Sequence, residues 1–458
     1  MTALPTDIRI ESVETAFQDF RYRTPIKFGG VALDRVTLFD VRVRVSTADG
    51  KSAEGFGSMP LGNVWAFPSK KLGYEQTLVA MKGLVPKIAT IHQNCRDYGH
   101  PIDLTWNLEP AIFQAAKEVE RETTLGESIP PLAALVVASP FDAALHDAFG
   151  KIHGRNCWTT YGSEFLTNDL GHYLGVDFRG ERLDRYVRTT ARPTMPLYHL
   201  VGALDPLEDG DVAQRVGDRL PETLGEWIER DGLTHLKIKL NGENLQWDVD
   251  RVIGVERVAV RTQAKRGVST WHYSLDFNEK CPNVQYLLEF LNQVKERIPA
   301  GFERIQYIEQ PTARDLKANR HNVMHGASKI RPVVIDESLL DLESLLDARE
   351  MGYTGAALKA CKGQTQSLLM AAAAQKFGMF LCVQDLTCPG ASLIQSASLA
   401  AHIPTVAAIE SNARQYCPAA NEPWADRFPG IFRITMGTMR TAETDAVGLG
   451  AVPSALLR

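Results

Sequence analysis

Seven charged residues recur through the second half of the chain: Lys237, Asp276, Glu309, Asp336, Lys359, Asp385 and Glu410. Each lies in a short run with strand character that carries a charged or polar group near its C-terminal end: LKIKL at 236–240, YSLDF at 273–277, IQYIEQ at 305–310, PVVIDE at 332–337, GAALKA at 355–360, FLCVQD at 380–385 and VAAIES at 406–411. Three of the carboxylates follow one another, Asp276, Glu309 and Asp336, and together they would make an oxygen-rich pocket. Oxygen ligands with positions left for water suit Mg²⁺. No His or Cys accompanies them at matching positions, which argues against zinc. A bound Mg²⁺ would polarise a substrate carboxylate and stabilise the second negative charge that appears when the α-proton leaves.

That proton needs a base. Side chains alternate along a strand, so Lys237 and Lys239 share a face. A lysine beside a divalent cation and a second lysine has its charged form disfavoured and its pKa lowered. Lys239 is therefore the expected base, with Lys237 as its electrostatic neighbour and a ligand to the substrate carboxylate. Lys359 would approach from the opposite side, so that one base removes a proton and the other returns it. Asp336 and Glu337 are adjacent, so only one points inward, and Glu337 is the alternative third ligand. Asn278 shares the face of Asp276. Asn278, Glu337, Asp385 and Glu410 are expected to touch the substrate or to steady the ligands.

The elements that must position these residues follow from their spacing. The steps between landmarks are 39, 33, 27, 23, 26 and 25 residues, the size of a strand–helix unit. Amphipathic segments lie between the strands, for example Asn283 to Arg297 and Gly363 to Phe377. A further strand near Leu197 to Val201 makes eight units. The expected fold is α/β, a modified (β/α)8 TIM-type barrel whose strand C-termini form one face; an open doubly wound sheet is the alternative. Upstream, Ile8 to Arg21 and Val36 to Val45 alternate as strands, and Ala48-Asp49-Gly50 is a turn. Gly55, Gly57 and Gly62 read as breaks, leaving Trp65 and Phe67 exposed on a loop that is either a lid or a plain connection. Tyr74 to Val119 has helical spacing. Leu132 to His153 is the clearest helix, with a kink or a start at Pro140 and Gly154 as its C-cap.

The bulk numbers narrow the classes. The 458 residues, 44% hydrophobic, suffice for a barrel plus a smaller domain, or for two to three average domains. The formal net charge is −5 with no basic block, which excludes nucleic acid as an expected partner. No apolar stretch reads as the ~20 residues of a membrane span, and the N-terminus lacks a secretory pattern. Seven cysteines, without zinc spacing, read as free thiols in a reducing cytoplasm.

Five ordered motifs then carry a resemblance. LKIK at 236–239, LDFNE at 275–279, IEQP at 308–311, IDES at 335–338 and ALKACKGQ at 357–364 resemble the enolase superfamily, in its mandelate racemase and muconate lactonizing enzyme family. So does VASPFDAALHDAFGKIHGRNCWTTYG at 137–162, which looks like that family's capping-domain signature. The resemblance spans about residues 8 to 415. It implies an α+β capping domain over 1–193, the catalytic barrel over 194–418, and a segment 419–458 that returns to the cap. It implies Asp276, Glu309 and Asp336 as Mg²⁺ ligands, Lys239 as base and Lys359 as second acid/base. Such sites use Lys or His bases with one or two Mg²⁺. Lysines on both sides resemble the muconate lactonizing subgroup, which includes cycloisomerases, succinylbenzoate synthases and epimerases. A symmetric homo-oligomer acting on a small-molecule carboxylate is expected. Two departures stand out. Glu410 is followed by Ser411-Asn412, without the Asp-x-Asp of dipeptide epimerases, and the first domain carries extra sequence around Cys95 to Ser128.

Blander readings weigh against each signal. Lys237 and Lys239 taken alone would be exposed residues of an edge strand. Asp336-Glu337 before Ser338 could be a helix N-cap cluster. His235 and His272 read as satisfied core histidines, and Cys361, Cys382 and Cys388 as structural thiols. Arg21, Arg23 and Lys27, before a Gly-Gly turn, either meet an anionic substrate or form a solvated hairpin. Among functions, racemisation or epimerisation leads; acid-sugar dehydration and cycloisomerisation share its first step. A Schiff base on Lys359 or a non-catalytic binding protein are the remaining rivals.

Overall fold

The structure, a computed structural model, describes residues 4–28 and 31–450; the Gly-Gly turn at 29–30 lies outside them. The N-terminal strands run longer than their alternation suggests. β1 (Ile8–Phe28), β2 (Val31–Thr47) and β3 (Ser52–Pro60) form an antiparallel sheet in that order. Val41, Val43 and Val45 face the core, while Arg44 between them is exposed. Against this sheet stand α1 (Asn63–Ala66), α2 (Tyr74–Asn94), α3 (Pro101–Thr123) and α4 (Pro131–Ile152).

Gly55 and Gly57 do not break the chain; both lie inside β3 where α4 crosses it. A β-carbon on Gly55 would sit 1.9 Å from the Ala144 carbonyl oxygen, and one on Gly57 2.0 Å from that of Pro140. They are glycines because helix backbone approaches the strand closely, a contact invisible in local sequence. Trp65 and Phe67 are correspondingly buried. Pro140 neither starts nor ends α4. The Val136 carbonyl that lacks Pro140 as a donor accepts instead from Ser139 Oγ at 2.8 Å. α4 also corrects the expectation that no stretch is long and apolar enough for a membrane span. It passes that test by length and composition, but 94% of its most apolar window is buried inside this fold. Its end is as expected, with Gly154 at φ +61° just beyond the helix.

The second unit contains eight parallel strands: β4 (Thr194–Val201), β5 (His235–Lys239), β6 (His272–Asp276), β7 (Ile305–Glu309), β8 (Val333–Ile335), β9 (Gly355–Leu358), β10 (Phe380–Val383) and β11 (Val406–Glu410). Neighbours pair in sequence order, and β11 pairs back onto β4 through Ile409–Leu197 and Glu410–Tyr198. That last pairing closes the barrel and excludes the open sheet. Helices start where side chains can receive their first N–H groups. Asn244 accepts from Trp247 N at 3.0 Å, and Asn283 from Tyr286 N at 3.0 Å. β12 (Thr438–Arg440) adds antiparallel to β4. Beyond it Gly448 O accepts from Cys157 N at 2.9 Å, and Leu449 N donates to Asp147 Oδ1 at 3.0 Å, both against the first unit.

Inside the barrel Tyr198, Tyr307, Val334, Ala357, Cys382 and Ala408 form one fully buried layer, a single residue from each of six strands. This apolar layer is the floor on which the charged residues of the strand C-termini stand.

Candidate active site

Two residues on from that floor, strand alternation brings Glu309, Asp336, Lys359, Gln384 and Glu410 to one level. β5 and β6 add Lys239 and Asp276, in register with each other and with Glu309. Lys237 lies one step lower on β5, opposite Leu200 of β4. All are buried; Lys239, the least so, is 6% exposed.

The ammonium groups span the carboxylates. Lys237 Nζ is 2.9 Å from Glu309 Oε1, 2.9 Å from Glu410 Oε2 and 3.1 Å from Asp276 Oδ2. It also donates to Gln384 Oε1 at 2.5 Å. Lys239 Nζ donates to Asp276 Oδ2 at 2.5 Å and to Asn278 Oδ1 at 3.1 Å. Across the layer Lys359 Nζ is 2.7 Å from Asp336 Oδ2. Lys362 donates to the Asp336 backbone oxygen at 2.5 Å and lies 3.3 Å from its Oδ1. Lys237 and Lys239 thus meet Asp276, Lys359 and Lys362 meet Asp336, and Glu309 stands on the strand between.

Electrostatics follow from burial and these pairings. Burial opposes the Lys237 ammonium, but Glu309, Glu410 and Asp276 together outweigh it and hold its pKa well above the usual lysine value. For Lys359 burial is likewise overcome, by Asp336 and Glu309, and its pKa is raised. The nearest charges to Lys237 and Lys359 are carboxylates. Lys362 goes the other way, lowered by burial. Asp276 and Asp336 are held below the carboxylate range, burial being outweighed by Lys239 and Lys237 for the first and by Lys359 and Lys362 for the second. Glu309 is pushed up by burial and then by Asp276. Glu337 is pushed up to about 7, again by burial and then by Asp336.

The other residues take definite places. Glu337 Oε1 accepts from Trp65 Nε1 at 3.0 Å and Asn278 Nδ2 at 3.4 Å. Asn278 N caps Asp276 Oδ1 at 2.8 Å. Asp385 does not face the layer. Its oxygens accept from the N–H groups of Leu386, Cys388 and Asn412, tying down the loops after β10 and β11. The strand position it was expected to fill belongs to Gln384. The rings of His235 and His272 lie 4.9 Å apart, tilted by 44°, and His235 meets Tyr198 edge-on. Arg23 is not part of a solvated hairpin; it forks onto Asp218 and reaches Leu220 O. Arg21 pairs with Asp34 at the surface. The seven cysteines are free.

Sequence reasoning missed Gln384, Lys362, Gln310 and the role of Trp65. Strand parity from Cys382 points to Gln384 and would have found it. Gln310 sits at φ +30°, and its Oε1 accepts from Asp336 N at 3.0 Å and Ser338 N at 3.3 Å, so it braces the backbone that carries Asp336. Asn278, Glu279 and Thr387 also have positive φ, so four non-glycine residues at the strand C-termini hold left-handed backbone.

The donor set suits a hard divalent cation. Glu309 Oε2, Asp336 Oδ2 and Glu337 Oε2 are buried oxygens that accept no hydrogen bond, Asp336 Oδ2 meeting only the Lys359 ammonium. Glu309 is pressed by two like charges, Asp276 and Asp336, a repulsion that a cation would relieve. Among the described residues no three His, Cys, Asp or Glu side chains are yet gathered on one point, because lysine ammonium groups lie between the carboxylates. A cation here would displace an ammonium from Asp276, Glu309 or Asp336.

Among proteins of curated function none matches the chain by sequence. Solved structures share its fold. A muconate lactonizing enzyme from Pseudomonas fluorescens, complexed with muconolactone, aligns at TM-score 0.61 and 18% identity over 98% of both chains. A racemase from Streptomyces coelicolor A3(2) with bound magnesium gives 0.58 and 18% over 97% of both. A dipeptide epimerase from Enterococcus faecalis V583, complexed with Mg and L-Leu-L-Tyr, gives 0.60 and 13% over 96% of this chain and 99% of that one. The family described as enolase C-terminal domain-like matches residues 219–455, just over half of the chain. The chain belongs to the enolase superfamily, in the family of the mandelate racemases and muconate lactonizing enzymes.

Proposed function

We propose that the protein is a Mg²⁺-dependent racemase or epimerase that removes and returns the α-proton of a small carboxylate substrate through an enediolate. The observation that carries this is the buried layer in which Asp276, Glu309 and Asp336, on three consecutive strands, are flanked by Lys237 and Lys239 on one side and Lys359 on the other. Magnesium in two of the similar structures supports the choice of metal.

Asp276, Glu309 and Asp336 would hold Mg²⁺. When bound, the ion supplies Lewis-acid stabilisation for charge on the substrate carboxylate. Lys239, whose Nζ reaches Asp276 Oδ2 at 2.5 Å and Asn278 Oδ1 at 3.1 Å, removes the α-proton. Lys237 stays protonated, because Glu410 and Gln384 still hold it, and donates to a substrate carboxylate oxygen. Lys359 delivers a proton to the opposite face. The dry surroundings strengthen each of these charge contacts. Trp65 roofs the layer and keeps water from the carbanion.

Thermal unfolding of metal-stripped protein, with and without Mg²⁺, tests the metal site, since a ligand bound only by the native state raises its stability. We expect a rise with Mg²⁺ that Glu309→Gln abolishes. Incubation with chiral 2-hydroxy acids and N-acylamino acids in D₂O tests the chemistry. Deuterium at the α-carbon with inversion supports the reading, and it is lost in Lys359→Ala. A 2-keto acid formed from a 2,3-dihydroxy acid probe, by α-proton removal and loss of the 3-hydroxyl as water, would replace it with dehydration.

A further inference from the structure

The extra cap sequence around residues 95–128 takes no part in the lysine–carboxylate layer. It folds as α3, and α3 walls a separate cavity of about 280 Å³ together with α4, the helix Gln364–Lys376 and the start of the helix Leu342–Glu350 with the two residues before it. The walls are largely apolar and aromatic, with Ile112, Leu135, Leu369 and Met370 facing Trp106 and Tyr173, whose rings meet edge-on at 5.5 Å.

One charged group in this lining stands apart. Among the described residues Glu109, half-buried in the wall, has no hydrogen-bond or ion-pair partner. Burial, then Asp341 and Asp142, push its carboxyl up to about 7. The other charges around it are already committed. Asp142 accepts from Thr105 Oγ1 at 2.9 Å and from Thr365 N at 2.7 Å, and lies 3.3 Å from His146. Asp341 caps the helix Leu342–Glu350 through Ser344 N at 2.8 Å. Glu343 pairs with Lys317 at 2.5 Å. The one lysine in the wall, Lys362, is spent on Asp336. An apolar, aromatic cavity with one unmatched carboxylate and no available cation is complementary to a positively charged amphiphile.

We propose that this cavity binds an organic ammonium ion with an apolar body, the charge held at Glu109 and the body between Trp106, Tyr173 and the Leu135–Leu369 wall. The site is independent of the proton-abstraction reading. It uses the part of the cap that the reaction does not.

Isothermal titration of the full chain at pH 8 with 2-phenylethylamine tests it, with 2-phenylethanol as the neutral isostere. We expect one saturable site that prefers the amine by about tenfold or more, the scale of a charge-assisted contact in a half-buried pocket. Glu109→Gln should erase that preference while unfolding at or above the wild-type temperature, because it removes a carboxylate repelled by its neighbours. Equal binding of amine and alcohol, an undiminished preference in Glu109→Gln, or no binding of the amine would each overturn the proposal. So would a change of oligomeric state in Glu109→Gln without amine binding, since a second copy would then be the occupant.

Discussion

The indole N–H of Trp65, a residue of the cap, donates to Glu337 Oε1 of the barrel at 3.0 Å. The same ring lies 4.2 Å from Lys359 Nζ, and Arg314 holds its backbone oxygen at 3.0 Å while forking onto Glu279. One cap side chain therefore touches both the acidic and the basic half of the layer below. The roof is part of the electrostatics and not merely a cover.

Trp65→Phe separates the two contacts. It keeps a ring over Lys359 but removes the donor, leaving Glu337 buried with only the long Asn278 contact. An orphaned buried acceptor costs about 1–3 kcal/mol. Chemical denaturation should show a loss in that range, and no change would mean that Glu337 is protonated and donates elsewhere. Trp65→Ala should further open the layer, seen as faster amide exchange at the ends of β8 and β9.

Gly57→Ala probes the cap's own packing. Its β-carbon would meet the Pro140 carbonyl oxygen at 2.0 Å with only backbone to yield. Overpacking of this kind destabilises by about 1–3 kcal/mol and more where backbone must shift. Gly126→Ala is the control: it has nothing within 4 Å, and its φ of +73° isolates the backbone penalty. If Gly57→Ala unfolded no earlier than Gly126→Ala, the close crossing of α4 and β3 would be wrong.

Trp65 and Gly57 mark what local sequence can and cannot reveal. Seven of the eight barrel strands are legible because a charged residue lies near the end of each apolar run, and the ends differ from expectation by only a few residues. The ligand-type carboxylates and the flanking lysines are legible for the same reason. Charge singles out Asp385, whereas the pleat presents Gln384; parity counted from Cys382 carries that information and charge does not. Gly55 and Gly57 could not be read, because their cause is a helix more than 80 residues away. Trp65 reads as exposed because it follows glycines, and its burial depends on Glu337 and Lys359, nearly 300 residues on. Lys362 falls within a motif, but only the 3-10 turn at Ala360–Lys362 aims it at Asp336.

Acid should destabilise the fold through histidines that are buried neutral. His92 is held down to about 4 by burial, and His100 and His199 lie well below the ordinary value for the same reason. For His199 the Arg414 guanidinium adds to it. In the unfolded chain these groups titrate near 6.5. Between about pH 6.5 and 4 the unfolded state binds more protons, so stability is fully present above that window and falls as pH drops through it. His92 alone accounts for about 3 kcal/mol by pH 4. Urea unfolding from pH 7.5 to 4.5 should show a falling midpoint that His92→Gln makes shallower, the amide replacing the bond to Ile88 O. A midpoint constant down to pH 5 would contradict neutral burial.

Lys237→Met tests whether ammonium and metal compete for the same oxygens. The substitution keeps the apolar stem but leaves Asp276, Glu309 and Glu410 without the charge that now joins them. Removing one partner of a buried ion pair typically destabilises by about 3–5 kcal/mol, and in chelator the variant should fall at least that far. In millimolar Mg²⁺ it should recover more than the wild type gains, because nothing opposes the divalent cation for Glu309. Adding Glu309→Gln to Lys237→Met should lessen the loss in chelator and abolish the recovery with Mg²⁺. Turnover should be lost in the single variant whether or not stability returns, since the proposed contact to the substrate carboxylate is gone. Equal stabilisation of wild type and Lys237→Met by Mg²⁺ would show that the ion binds elsewhere, and that the lysine-spanned carboxylates are a structural network and not a metal site in waiting.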